Sequence, residues 1–116
     1  MLLDPRLIEI ESLRPPGGGA PRFEGAGHGG VPVSAFLVDG APGAGARLHR
    51  HPYDEVFVLH EGEATFTVGG VELVARAGQM VIAPRQVPHR FRNTGAGRLR
   101  MTAIHPSDRV IQEWLE

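Results

Sequence analysis

A chain of 116 residues with 41% apolar content and a formal charge of −1 can bury one core, and it is too evenly charged to hold nucleic acid on a basic face. It has no Cys, which excludes disulfides, thiolate metal sites and a cysteine nucleophile; all 12 of its basic residues are Arg, which closes any lysine Schiff-base route. No stretch approaches the ~18 apolar residues of a membrane helix, and the N-terminal MLLDPRLIEIE lacks a signal-peptide core, so a cytoplasmic protein contacting neither membrane nor nucleic acid is expected.

The 16 Gly and 10 Pro are spread along the chain and punctuate short apolar runs, the pattern of an all-β sandwich or barrel. Leu7–Leu13 alternates and reads as a first strand whose edge could pair with a neighbouring subunit, so a homodimer is expected. Arg14–Val31 is a Pro/Gly-rich loop. Val33–Asp39 is a second strand. Ala46–His51, Glu55–Glu61, Ala64–Val68 and Val71–Ala75 follow in quick succession. The Gly69-Gly70 pair between the last two marks a tight hairpin, because both turn positions require positive φ. Gln79–Ala83, His89–Asn93 and Leu99–His105 complete the strands. In the tail, Ser107 suits an N-cap, and Val110, Ile111, Trp114 and Leu115 would share a face of a short C-terminal helix; a final strand fits the same residues.

Two stretches carry the chemistry. His49 and His51 are two apart in a strand, so they share a face with Cβ atoms roughly 6.5–7 Å apart, a span that one metal ion bridges. Pro52-Tyr53-Asp54 turns the chain and Glu55 opens the next strand beside them. Further on, Pro84 and Pro88 bracket a turn, since neither can donate in a central ladder, and His89 leaves that turn.

The spacing of Gly43, His49, His51, Glu55 and Gly62, followed by Gly78, Pro84, His89 and Asn93, resembles the paired motifs of the cupin superfamily. Motif 1 spans 43–62 and motif 2 spans 78–93; Gln86 stands where the family usually has Gly. The resemblance implies a single domain over 1–116, a double-stranded antiparallel β-barrel of jelly-roll type. It also implies one divalent metal held by His49, His51, Glu55 and His89. Three neutral imidazoles and a carboxylate leave a six-coordinate ion two open positions, and the donor set suits Fe, Mn, Ni, Cu or Zn alike. A metal-dependent, dioxygenase-like oxidoreductase is therefore expected, acting on a small organic substrate that chelates the metal. A non-catalytic small-ligand-binding or sensing module and a metal-dependent isomerase are the alternatives.

Other residues have weaker claims. Arg47 shares the strand parity of His49 and His51, which would aim it into the barrel as a substrate clamp; a place at the mouth is the alternative. His105 ends the run LRMTAIH and is the remaining histidine to nominate as a catalytic acid/base or as a partner of a ligand, against a strand-end hydrogen-bonding role. His60 has surface parity, and His28 falls in a loop that a lid would also use. Phe57, Leu59, Met80, Ile82, Phe91 and Met101 are expected to line the barrel wall. Tyr53 is expected to point outward, and Trp114 to pack the tail onto the barrel or a partner subunit.

Overall fold

Ten short strands make up the regular structure of residues 4–116, the part of the chain that the computed structural model describes. They are β1 (Arg22–Glu24), β2 (Ser34–Gly40), β3 (Gly45–Arg50), β4 (Glu55–Glu61), β5 (Glu63–Val68), β6 (Val71–Arg76), β7 (Met80–Ala83), β8 (His89–Asn93), β9 (Leu99–His105) and β10 (Glu113–Trp114). Every pairing is antiparallel. One sheet runs β1-β2-β9-β4-β7 and the other β10-β3-β8-β5-β6. The two sheets face each other as a jelly roll, and their hydrogen-bond ladders do not join into one closed cylinder. Among the described residues no helix is long and apolar enough to cross a membrane.

The core forms because alternate residues of each strand point between the sheets. Phe57, Leu59, Phe66, Leu99 and Met101 are almost fully buried there, and Phe57 and Phe66 meet at 4.9 Å between ring centroids. Phe91 packs against this cluster from the cavity side. The β5–β6 hairpin is the tight one its Gly69-Gly70 pair requires, with φ of 56° and 82° and Val68 opposite Val71. Gly62 is constrained twice: its φ is +87°, and a Cβ there would lie 2.3 Å from the Arg98 carbonyl oxygen.

Several expectations need correction. Leu7–Leu13 is not a strand; Ile10–Leu13 makes a 3-10 turn held by Ser12 Oγ on the Glu9 carbonyl and by the Arg14–Glu11 pair. Leu7 stays 88% exposed, because alternation yields a strand only where a second strand offers its ladder. Conversely, β1 and a 3-10 turn at Gly25–Gly27 lie within the expected loop Arg14–Val31; three residues are too few to show a period. Met80 and Ile82 do not line the wall. The register that sets Val81 opposite inward-pointing Phe57 turns both outward, each 63% exposed. In the tail, β10 pairs with β3, Trp114 opposite His49 and Glu113 opposite Arg50, so no helix forms. Ser107 Oγ accepts from Arg109 N at 3.4 Å as a turn and caps nothing.

Candidate metal centre

The antiparallel order brings one end of five chain segments together. His49 lies near the end of β3 opposite His89, the first residue of β8, and Glu55 opens β4. The two turns that carry the motifs are stitched to each other: Gln86 N donates to the His51 carbonyl at 2.7 Å and Arg85 N to Asp54 Oδ1 at 2.8 Å. Gln86 takes up φ of 63°, so the turn keeps the left-handed conformation that a glycine adopts there more easily. The result is a cluster in which His49, His51, Glu55 and His89 are all buried and each offers a ligand atom within 4.8 Å of the others.

The hydrogen bonds at the back of the imidazoles fix their orientation. Nδ1 of His49 donates to the Arg47 carbonyl (2.6 Å), Nδ1 of His51 to that of Ile111 (2.8 Å) and Nδ1 of His89 to that of Val87 (3.1 Å). A carbonyl only accepts, so each neutral ring carries its proton on Nδ1 and turns the Nε2 lone pair inward. Yet Nε2 of both His51 and His89 lies 2.9 Å from Glu55 Oε1, and the buried His51 Nε2 has no hydrogen-bond partner. Lone pairs around one carboxylate oxygen repel unless a cation lies among them. A single proton serves only one such pair, whereas one metal ion serves all four donors. The residues fit a divalent ion.

The electrostatics agree with that donor set. Burial pushes the Glu55 carboxyl up, and positive charge or N–H groups on the side of His105, His51 and His89 bring it well below its usual range, so the pocket favours the anion wherever a cation lies among these rings. Burial lowers the His49 pKa, partly offset by the Arg47 carbonyl, which favours the neutral ring a metal needs.

Two further residues complete the wall. His105, the last residue of β9, is 1% exposed, and its Nε2 lies 2.9 Å from Glu55 Oε2 but off the line of a hydrogen bond. Its Nδ1 is 2.6 Å from the Tyr53 hydroxyl, which accepts from Ile111 N at 3.2 Å. The Tyr53 ring lies parallel to that of His51 at 5.1 Å, an interplanar angle of 5°. Tyr53 therefore points inward, contrary to the outward position expected of a turn residue. Strand parity cannot orient a residue within Pro52–Asp54; only the stacking and the hydroxyl partners do.

Above the cluster an open cavity of about 610 Å³ is walled by Phe36, Val38, Phe57, Phe91, Leu99 and Ala103. Arg47 does not point between the sheets. A register shift between Ala46 and His49 breaks the parity, leaving Arg47 exposed at the cavity mouth with its guanidinium 4.9 Å from the Trp114 ring centre. Trp114 packs on the tail's own barrel, 5.1 Å from the His49 ring. Arg14 and Arg22 also border the mouth but pair with Glu11 and Glu24; Arg47 has no carboxylate partner among the described residues. His60 is on the surface, hydrogen-bonded to Thr102 Oγ1, and His28 stacks on Phe23 at 4.8 Å.

A family model described as "Cupin domain" matches residues 36–105. Protein SchB of Streptomyces halstedii is 39% identical over 61 residues, 52% of this chain and 44% of that protein. Polyketide synthase CurC of Streptomyces cyaneus is 39% identical over 61 residues, again 52% of this chain and 40% of that protein. The matched stretch thus spans less than half the length of either relative. Among solved structures, the oxalate decarboxylase of Bacillus subtilis, studied for its Mn(II) centres, superposes with a TM-score of 0.78 at 22% identity over 91% of this chain and 31% of its own. An oxalate oxidase in complex with the substrate analogue glycolate gives 0.65 at 27% identity over 72% of this chain and 46% of its own.

Proposed function

The chain belongs to the cupin family, and from that premise we propose that it is a metal-dependent enzyme whose small organic substrate chelates the metal. The observation that carries this is the convergence of three inward Nε2 atoms and one anionic carboxylate at the inner end of an apolar cavity. His49, His51, Glu55 and His89 would hold the ion. When bound, it supplies Lewis acidity and, where the metal is redox-active, an electron path to O₂. The neighbouring Mn(II) enzyme makes manganese, beside iron, the metal to load first.

The cavity wall supports a small, partly apolar substrate. Phe36, Val38, Phe57 and Phe91 line a volume in the range of drug-sized ligand sites, roughly 300–1,000 Å³, and offer a carbon skeleton an apolar surface. Arg47 at the mouth is placed to meet an anionic group by a guanidinium fork. One relative named for polyketide synthesis suggests a 1,3-dicarbonyl, since polyketide chains alternate ketone and methylene and their enolates bind one cation through two oxygens. His105 lines the cavity, and Tyr53 sets its proton: the hydroxyl accepts from Ile111 N, so its own hydrogen goes to Nδ1 and His105 presents Nε2–H. That N–H would hold an oxygen of the bound substrate or of Glu55.

Dioxygenation is the reaction to test first. A 1,3-diketone plus O₂ gives one carboxylic acid and one 2-oxo aldehyde; the C–C bond breaks, both oxygen atoms enter products, and no other reductant is needed. Iron- and manganese-loaded protein in an oxygen electrode, with a panel of diol, 1,3-diketone and thiol, should consume one O₂ per substrate with at least one class. No consumption across the panel overturns the dioxygenase reading. The cavity position of His105 favours an isomerase as the second reading. It would show as solvent deuterium entering the substrate without O₂ uptake. Substrate affinity that is unchanged on metal removal, with no turnover, would instead mark a binding module.

A further inference from the structure

We propose that residues 106–116 act as a strap that positions the metal ligand His51 and closes one wall of the cavity when the metal binds. The strap rests on an ion being held by the four donors, but on no particular reaction there. All three imidazoles of the cluster are held from behind by backbone carbonyls, and two of these lie close by in the chain. His49 leans on Arg47 and His89 on Val87, each two residues away. His51 instead donates to the carbonyl of Ile111, 60 residues further on. Its orientation therefore depends on whether the tail is docked. The N–H of the same Ile111 donates to the Tyr53 hydroxyl at 3.2 Å, and the Tyr53 ring lies parallel to that of His51. Both backbone groups of one tail residue are thus gripped by side chains of the site.

The rest of the tail is held lightly. None of residues 106–116 is buried, and Ile111, Trp114 and Leu115 are 42%, 48% and 36% exposed. Strand β10 has two residues and one neighbour, β3. Leu115 N donates to the Leu48 carbonyl (3.0 Å), Leu48 N to Glu116 Oε1 (2.9 Å) and Val110 N to Glu24 Oε2 (2.9 Å), while Arg50 pairs with Glu113 at the surface. Ser107 is the firmer end: its carbonyl accepts from Ser34 Oγ, and Ser34 is fully buried. A segment with few apolar contacts and exposed hydrogen bonds opens at far lower free energy than the core it rests on, and exposed ion pairs add little to it. The tail therefore pivots near Ser107 and lifts over residues 110–116.

Lifting undoes three things at once. His51 loses the acceptor that keeps its proton on Nδ1, so the ring is free to turn and Nε2 no longer offers a preset lone pair. Gln112 and Trp114 leave the cavity wall. Arg47 loses the indole face 4.9 Å from its guanidinium. By linkage, whatever factor the docked tail adds to metal affinity, the metal adds to tail docking. A loaded site is thus a closed one, and an empty site opens a side route into the cavity for a small organic molecule.

Hydrogen exchange of the full chain, metal-stripped and Mn(II)-loaded, tests the strap. Loading should slow exchange at Val110, Ile111 and Leu115 by about 10-fold or more, while the turn amides of Ser12 and Gln79, bonded away from the site, stay unchanged. Trp114 is the only Trp of the chain, and acrylamide should quench it about twice as readily once the metal is stripped. Ile111→Pro removes the N–H that Tyr53 accepts. It should lower Mn(II) affinity by about 10–100-fold, the range for losing an outer partner of a metal ligand, with little change in the metal-free urea midpoint. A tail with a merely structural role would do the reverse, lowering that midpoint and leaving the affinity of the folded chain intact. Glu113→Arg sets like charges against Arg50 and should lower affinity by a smaller factor, about 2–5-fold; it serves should Ile111→Pro fail to fold. A chain that takes up no divalent ion from manganese to zinc overturns the metal centre and the strap together. Uptake with tail exchange unchanged, or with full affinity in the folded strap variants, overturns the strap alone. Neither result depends on turnover.

Discussion

Both ends of the space between the sheets bury polar groups, and they treat them oppositely. At the far end Asn93 is 2% exposed and fully served: its amide donates to the carbonyls of Gly40 (3.1 Å) and Gly97 (2.9 Å), and its oxygen accepts from Gly95 N (3.0 Å). Ala64 lies opposite it on β5, and Leu59, Ala64 and Leu99 are all buried in the apolar core. At the near end His51 Nε2 and His105 Nε2 are buried without a hydrogen-bond partner, beside a carboxyl whose pKa burial pushes up. The same strands supply both: β4 carries Glu55 and Leu59, β8 carries His89 and Asn93, and β9 carries Leu99 and His105. Satisfied polar groups hold a fold together. Unsatisfied ones that converge mark where an external group binds.

That contrast can be broken most completely at Glu55. Glu55→Ala should cost well over 100-fold in metal affinity, beyond the ~10–100-fold typical of losing only an outer hydrogen-bond partner. It should change metal-stripped stability far less, as read by elemental analysis after dialysis and by urea unfolding. Leu59→Ala is the mirror experiment. It should lower unfolding free energy by ~2–5 kcal/mol through the lost transfer and the cavity left behind, with metal stoichiometry unchanged. Asn93→Ala strands two carbonyls and one N–H, and should cost about 1–3 kcal/mol with the metal retained. Metal loss from Leu59→Ala or Asn93→Ala protein that is still folded would show that the two ends are coupled rather than separate.

The smallest effect sharpens the comparison through pH. Because burial lowers the His49 pKa, the folded chain keeps that ring neutral at pH values where the unfolded chain, near its ordinary ~6.5, is already protonated. The unfolded state then binds more protons, so stability of the metal-stripped protein should fall as pH drops from about 7 towards 5. Above ~7 the contribution is constant. His49→Gln should flatten that slope in urea midpoints measured at pH 7.5 and 5.5, and an unchanged slope would assign the titration to another group.

Much of the candidate centre was legible in order along the chain. His49, His51, Glu55 and His89 are recognisable because fixed spacings put them at strand starts and ends, and Gly69-Gly70 sets a hairpin that any context must respect. Met80-Val81-Ile82-Ala83 was not legible. Four apolar residues in a row carry no alternation, so only pairing with β4 chose which two face the core. Leu7–Leu13 failed for the converse reason: its pattern is right for a strand, but among the described residues no ladder receives it.

The sequence by itself therefore determined the all-β class, the strands with a clear period of two, and the four donors that converge. The class and the strands depend on local periodicity, and the convergence of the donors was implied by the resemblance of their spacing to the cupin motifs, both of which the chain carries in order. Only the tertiary structure decided that a bulge in β3 moves Arg47 to the cavity mouth, that the tail pairs as a strand beneath it, and that Tyr53 turns inward to His105. Each depends on contact between segments 50 or more residues apart, or on a one-residue slip in register. Both are settled by packing energy between elements, and neither leaves a mark in the local pattern.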